Sequence, residues 1–215
     1  MRKLVLALVT ALVACLCLIA LPACTSEPSP SDVTKSALDA MKAQDADVLA
    51  QYYSGNTDGI QEQLDALASE ADGSEDPDAQ TAAMSSLMQK IYDFDYAIGE
   101  ETIEGDTATV NVSITTYDLG TAFKTAMGNY ISTALGMAFA GASQEEMEAA
   151  LYEGLQSELD SLTGKDYTAD VNLTLTKTDN GWMLDALSDE ATDALTGGLE
   201  SAANEVSESL SSFEM

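Results

Sequence analysis

The spacing of apolar positions changes repeatedly along the chain, and each change predicts a different element. From residue 31 to 90 the apolar residues recur at helical intervals. Ser31 is a candidate cap for a first helix carrying Val33, Ala37, Leu38 and Met41. A short amphipathic piece runs from Asp47 to Tyr53 and is broken by Gly55-Asn56-Thr57-Asp58-Gly59. Ile60, Leu64 and Leu67 mark a further helix, and Met84, Leu87, Met88 and Ile91 another. The period then falls to two. Phe94, Tyr96 and Ile98 alternate with Asp93, Asp95 and Ala97, and after a turn at Glu104-Gly105-Asp106 the residues Ala108, Val110, Val112 and Ile114 alternate with Thr, Asn and Ser. The same alternation returns in Tyr167, Ala169, Val171, Leu173 and Leu175. Asp179-Asn180-Gly181 then predicts a type I′ hairpin into Trp182-Met183-Leu184. These stretches predict four antiparallel strands, each with one buried face.

Between the strand pairs lies a helical insertion, residues 119–162. Its first half places Leu119, Phe123, Met127, Tyr130, Ile131, Leu135 and Phe139 on an amphipathic pattern, and Gly128, Ser132, Gly136 and Ala140 form a stripe of small residues. Residues 125–142 carry no charge, but Asn129, three glycines and several hydroxyls make the stretch too polar for a membrane span. Ser143-Gln144-Glu145-Glu146 is a capping box that opens the second half. A last helix, 188–213, starts at Ser188, and its Gly197-Gly198 pair predicts fraying beyond that point. The fold class is therefore α+β: a curved antiparallel sheet of about four strands packed on helices, with a helical insertion between the two strand pairs. Two Asn-x-Ser/Thr triplets, at Asn111 and Asn172, belong to the polar faces of strands.

The N-terminus carries a different signal. Arg2-Lys3 precedes an uncharged apolar run from Leu4 to Ala20, followed by Leu21-Pro22-Ala23-Cys24. That ending resembles the lipobox of bacterial lipoproteins, and the resemblance assigns Cys24 as the lipidated first residue of the mature chain. A second set of letters, Leu12-Val13-Ala14-Cys15, fits the same pattern, but cleavage there leaves an apolar Cys15–Leu21 segment and no tether. The expected organisation is a signal peptide over 1–23, the lipidated Cys and a flexible tether over 24–30, and a single α+β domain over 31–215. A lone thiol used for lipidation leaves no intramolecular disulfide.

Charge narrows the function classes. The chain has 8 Lys and Arg against 37 Asp and Glu, a formal charge of −29, and no histidine. Removing residues 1–23 takes away Arg2 and Lys3, so six basic residues remain and the mature charge is −31, with no arginine. Such a polyanion repels phosphate backbones, so a nucleic-acid partner is excluded. Imidazole acid–base chemistry and His metal sites are absent by composition. The acidic run Asp72, Glu75, Asp76 and Asp78 is a weak cation candidate that lacks the alternation and closing Glu of an EF-hand; a solvated loop is the plainer reading. Tyr96, Tyr167 and Trp182 lie on predicted apolar faces and are candidates to line a pocket, although aromatics there more often serve packing. Asp93 and Asp95 are expected on the face opposite Phe94 and Tyr96, away from such a pocket.

The pattern Val33…Ala37-Leu38…Met41…Asp45-Ala46-Asp47, then strands, an inserted helical pair and a hairpin at Lys177-Thr178-Asp179-Asn180-Gly181-Trp182, resembles small bacterial lipoproteins whose domain has the cone-shaped nuclear transport factor two fold. That resemblance implies a sheet curved over a helix with a pocket at its wide end, and an envelope location. It implies no reaction. The expected role is an exported, lipid-anchored, non-catalytic binding or interaction module, with no cofactor. Its expected partners are the membrane through its anchor and an envelope protein or small apolar ligand. The alternatives are a small cone-pocket enzyme of isomerase or dehydratase type and a solute-capture lipoprotein.

Overall fold

The computed structural model describes residues 27–55 and 78–212. The signal peptide, Cys24, the predicted helix at Ile60–Leu67 and the acidic residues Asp72, Glu75 and Asp76 lie outside them. Helix α1 (Pro30–Lys42) is capped by Ser29, not Ser31: the Ser29 side chain accepts from the Asp32 N–H and Asp32 reaches back to the Ser29 backbone. Pro30 occupies the first helical position, where its missing N–H costs nothing, and Ser31 instead donates to Glu101 from both its N–H (2.8 Å) and its hydroxyl (2.6 Å). Ser29 and Pro30 thus belong to the folded domain rather than to the tether, and Pro30 is buried.

Helix α2 (Ala46–Leu49) is capped by Asp45 and α3 (Ala79–Tyr92) by Asp78, whose carboxylate accepts from Thr81 N–H. The sheet follows as β1 (Asp95–Glu104), β2 (Thr107–Thr116), β3 (Tyr167–Thr178) and β4 (Gly181–Leu184), in spatial order β1-β2-β3-β4, antiparallel throughout and not closed. β2 and β3 pair without a shift from Thr107↔Thr176 to Thr116↔Tyr167. Ala108, Val110, Val112, Ile114, Val171, Leu173, Leu175 and Leu184 are buried on one face, under Val33, Ala37 and Leu38 of α1 and Ala191, Ala194 and Leu195 of α6 (Asp189–Leu195). The other face carries the Thr, Asn and Ser residues, as an antiparallel sheet with one wet side should; Asn111 and Asn172 bond each other across it at 3.2 Å.

The β3–β4 hairpin differs from expectation. Among the described residues only Gln44 is a non-glycine with positive φ, so Asp179 and Asn180 do not form a type I′ turn; the positive φ, +110°, falls on Gly181. Glycine carries that conformation at the least cost, and it does so at the first strand residue rather than inside the two-residue loop.

The insertion forms α4 (Leu119–Ala140) and α5 (Gln144–Ser161), joined through Gly141 in the left-handed region (φ +81°) and the Ser143–Glu146 capping box. It leaves and re-enters at Thr116 and Tyr167, which face each other in the sheet. α4 packs on α5 and on the final helix α7 (Leu199–Ser211), and α5 on α3. Lys90 Nζ donates to Leu162 O (3.0 Å) and Gln156 Nε2 to Ser86 Oγ (3.2 Å), so α3 and α5 run side by side toward the sheet. The Lys124–Glu205 ion pair at 3.1 Å aligns α4 with α7, both running away from it. The four helices make a bundle at one end of the sheet, opposite the β1–β2 and β3–β4 turns.

The C-terminal helix is two helices, and the segment after Gly197-Gly198 is the ordered α7 instead of a frayed end. The glycines are a junction. Gly120 N–H bonds Gly197 O at 2.9 Å; a Cβ on Gly120 would sit 2.4 Å from Gly198 O, and one on Gly197 would sit 2.0 Å from Tyr117 O. The two backbone segments approach this closely because Gly120 and Gly197 carry no side chain.

Candidate functional site

An apolar groove of 240 Å³ opens where the C-terminal end of α1, α2, the end of α3, Phe94 and α6 converge. Met41, Leu49, Ile91, Leu187 and Leu195 are among its apolar lining residues. Three of its polar groups are committed: Asp45 accepts from Val48 N–H at 2.9 Å, Tyr53 accepts through its hydroxyl from Leu187 N–H at 3.3 Å, and Thr196 donates its hydroxyl to Thr192 O at 2.9 Å. Burial raises the pKa of Tyr92 on the same wall. The site can take apolar surface from water, but it offers little to move a proton.

The sequence candidates lie elsewhere. Tyr96 donates to Asp39 and packs against the core, and its pKa is raised by burial and by that carboxylate. Trp182 is 8% exposed within the core, with Lys177 Nζ 5.4 Å above its ring. Tyr167 is half-buried beside Gly198, with its pKa raised by burial first and by Asp193 and Asp118 next. None of the three lines this groove. Of the acidic run, Asp78 is used as a helix cap. Among the described residues no cluster of three or more His, Cys, Asp or Glu forms a candidate metal site.

A charged cluster that no local pattern announces sits at the bundle end of the sheet. Lys165 Nζ bonds Asp93 at 2.8 Å and Asp95 at 2.9 Å, Tyr117 donates to Asp93 at 2.9 Å, and Lys42 approaches Asp95 at 3.5 Å. The Lys165 hydrogen bond holds both carboxyls below their usual range. Burial pulls Lys165 down, but its two carboxylate partners outweigh that and leave it raised.

The third feature is the outer half of α4. The sequence pattern predicts one amphipathic face along the whole helix, yet burial falls along its length: Leu119 is 1% exposed, Phe123 and Met127 are intermediate, and Leu135 and Phe139 reach 67% and 88%. Gly128 and Gly136 face open space, with nothing within 4 Å of an added Cβ. The small-residue stripe therefore does not pack against the sheet. No helix among the described residues is long and apolar enough to cross a membrane.

The fold and these sites define an α+β protein with an open four-stranded antiparallel sheet and a helical insertion. No family model matches the chain, and no curated protein matches it. A crystal structure of a "putative lipoprotein (YcdA)" from Bacillus subtilis aligns at 15% identity and a TM-score of 0.48, covering 80% of this chain and 56% of that one. The chain thus spans little more than half the length of that protein.

Proposed function

We propose that the chain is an exported envelope lipoprotein, anchored through Cys24 and facing outside the cytoplasm, that works as a non-catalytic binding or interaction module. The observation that carries this reading is where the folded domain begins relative to the lipobox. Glu27, three residues past Cys24, pairs with Lys177 Nζ at 3.2 Å beside the β3–β4 turn. A lipid on Cys24 therefore emerges at the turn end of the sheet, while the helical bundle lies at the other end, with the length of β2, ~33 Å, between them. A tether of this kind holds a module at the membrane with its bundle directed away. The element order also supports an affinity with the cone-fold lipoproteins.

The enzyme alternative needs a carboxylate raised toward neutral pH by an apolar site. Asp93 and Asp95 are displaced the other way by Lys165, which favours a structural role for them. The 240 Å³ groove supports capture of a small apolar ligand as a second reading. The anchor is tested by fractionating cells that express the wild type or Cys24→Ala. The wild type is expected with membranes and the variant in the soluble fraction or as an unprocessed precursor; identical membrane attachment of properly processed variant would overturn the assignment.

A further inference from the structure

We propose that the groove at the convergence of α1, α2, α3 and α6 holds a small apolar amine, with its ammonium at Asp45 and Gln44 and its hydrocarbon body against the buried residues behind them. The inference rests on the capture reading of this groove and names the ligand; it does not depend on the anchor. Ala40, Leu49, Phe94 and Leu195 line the groove as buried residues, while Gln44 and Asp45 line it as exposed ones and so mark its mouth. At 240 Å³ the space is smaller than the ~300–1,000 Å³ of sites for drug-sized molecules, so the occupant is about one ring with a short chain. The backbone at the mouth points to Gln44. Helix α1 ends in a Schellman motif, in which Asp45 N–H bonds Ala40 O and Gln44 N–H bonds Met41 O, both at 3.0 Å. Gln44 holds the left-handed position of that motif at φ +55°, where glycine is the usual residue and a Cβ is strained. Its side-chain amide has no hydrogen-bond partner among the described residues, so the strain is not offset by a contact within the fold. Strain of this kind gathers where a side chain is needed for binding.

Charge selects the head group. Asp45 is the only charged residue among the described residues that line the groove, and none of them is cationic. Its carboxylate accepts one hydrogen bond, from Val48 N–H, and makes no ion pair, so most of its roughly four acceptor positions stay open to a donor. Lys42, which stands 5.6 Å from the centre of the Phe94 ring, does not line the groove and is drawn to Asp95 at 3.5 Å. A carboxylate or phosphate ligand would therefore meet Asp45 without a counter-charge, in the field of a chain at −29. An ammonium finds the carboxylate and the Gln44 carbonyl, and the aromatic rings of Tyr53, Tyr92 and Phe94 in the lining favour both a cation and its hydrocarbon body.

The full chain, reconstituted in phosphatidylcholine nanodiscs, is titrated by ligand-observed NMR with 2-phenylethylamine, 2-phenylethanol and phenylacetate, which share a body and differ in the charge of the head; empty nanodiscs give the background. The amine is expected to bind about fivefold or more tighter than phenylacetate, with the alcohol between them. Asp45→Asn keeps a residue that caps α2 equally well and should bring the amine down to the affinity of the alcohol. Gln44→Gly should raise the denaturation midpoint, because glycine adopts φ +55° without strain, and should weaken amine binding by about threefold or more through loss of the amide. Circular dichroism checks that each variant is folded, and Asp45→Ser, also a cap, replaces Asp45→Asn if that variant unfolds. Equal binding of the three molecules, or an amine preference that survives Asp45→Asn, would overturn the amine while leaving capture of an apolar molecule standing. Amine affinity unchanged in Gln44→Gly would overturn the part given to Gln44. No binding of any of the three above background would overturn the proposal and the capture reading together.

Discussion

Replacing Gly120 and Gly136 by alanine, one at a time, should move stability in opposite directions although both lie in α4. At Gly136 the new methyl meets nothing within 4 Å, so the helix simply gains the propensity difference between glycine and alanine, about 1 kcal/mol. At Gly120 the methyl would lie 2.4 Å from Gly198 O. Backbone must retreat, which strains or breaks the 2.9 Å bond from Gly120 N–H to Gly197 O. That bond is worth about 1 kcal/mol net, and forcing atoms into an occupied space costs about 1–3 kcal/mol more. Gly120 lies in the first turn, where propensity returns little, so the net loss is about 2–3 kcal/mol. For a domain of this size that corresponds to a Tm lower by roughly 4–12 °C. Chemical denaturation, with midpoints compared at equal slope, reads both variants. A neutral or stabilising Gly120→Ala would refute the close approach of α4 to the Gly197-Gly198 junction, and a destabilising Gly136→Ala would refute the open outer face.

Lys165→Met should cost about 1 kcal/mol at neutral pH, because the Asp93 and Asp95 side chains are more than half exposed and solvent screens the pairs. The folded state lowers both carboxyl pKa values and raises that of Lys165. The pairing is therefore lost as pH falls through the depressed carboxyl values, below about 4, and as it rises through the raised lysine value, above about 10. Equilibrium unfolding across pH should show the two proteins converging at both extremes; a constant difference down to pH ~2 would contradict the pairing. Gly181→Ala, at φ +110°, should cost about 1–2 kcal/mol by denaturation, and an unchanged midpoint would show that the hairpin relaxes to another turn. At a formal charge of −29 the chain repels itself, and salt screens that repulsion over about 10 Å at 0.1 M. Calorimetry should therefore find Tm rising with NaCl; a flat profile would mean that the charges are already well separated.

What the sequence made legible was local periodicity. The alternation in 107–116 and 167–176 became β2 and β3, with Val110, Val112, Ile114, Val171, Leu173 and Leu175 buried and Ala169 partly so. Ser143 and Glu146 formed their capping box because both partners lie within one turn. Failures arose where a distant partner decides. Ser31 fits a cap by residue type, but the Ser29-Pro30 pair starts the helix two residues earlier and Glu101 of β1, distant in the chain, takes Ser31. Gly197-Gly198 looked like a helix weakness because nothing nearby in the chain points to Gly120 as its partner. Period 3.6 placed Ile131, Leu135 and Phe139 on an apolar face without revealing that the bundle ends before covering them. The groove residues come from three separate stretches, 40–53, 91–94 and 187–196, and Lys165 meets Asp93 and Asp95 only through the fold. Aromatic identity alone likewise could not separate Trp182, a core residue, from a wall of that groove.

The orientation of the molecule follows from a lipid at Cys24 and from the Glu27–Lys177 pair that ties the start of the domain to the turn end of the sheet. Intact mass spectrometry of the protein extracted from membranes tests it most directly. The expected species is a chain that starts at Cys24 and carries the added mass of a thioether-linked diacylglycerol. An unlipidated chain, a full-length chain that retains residues 1–23, or a chain that starts at Cys15 would contradict it.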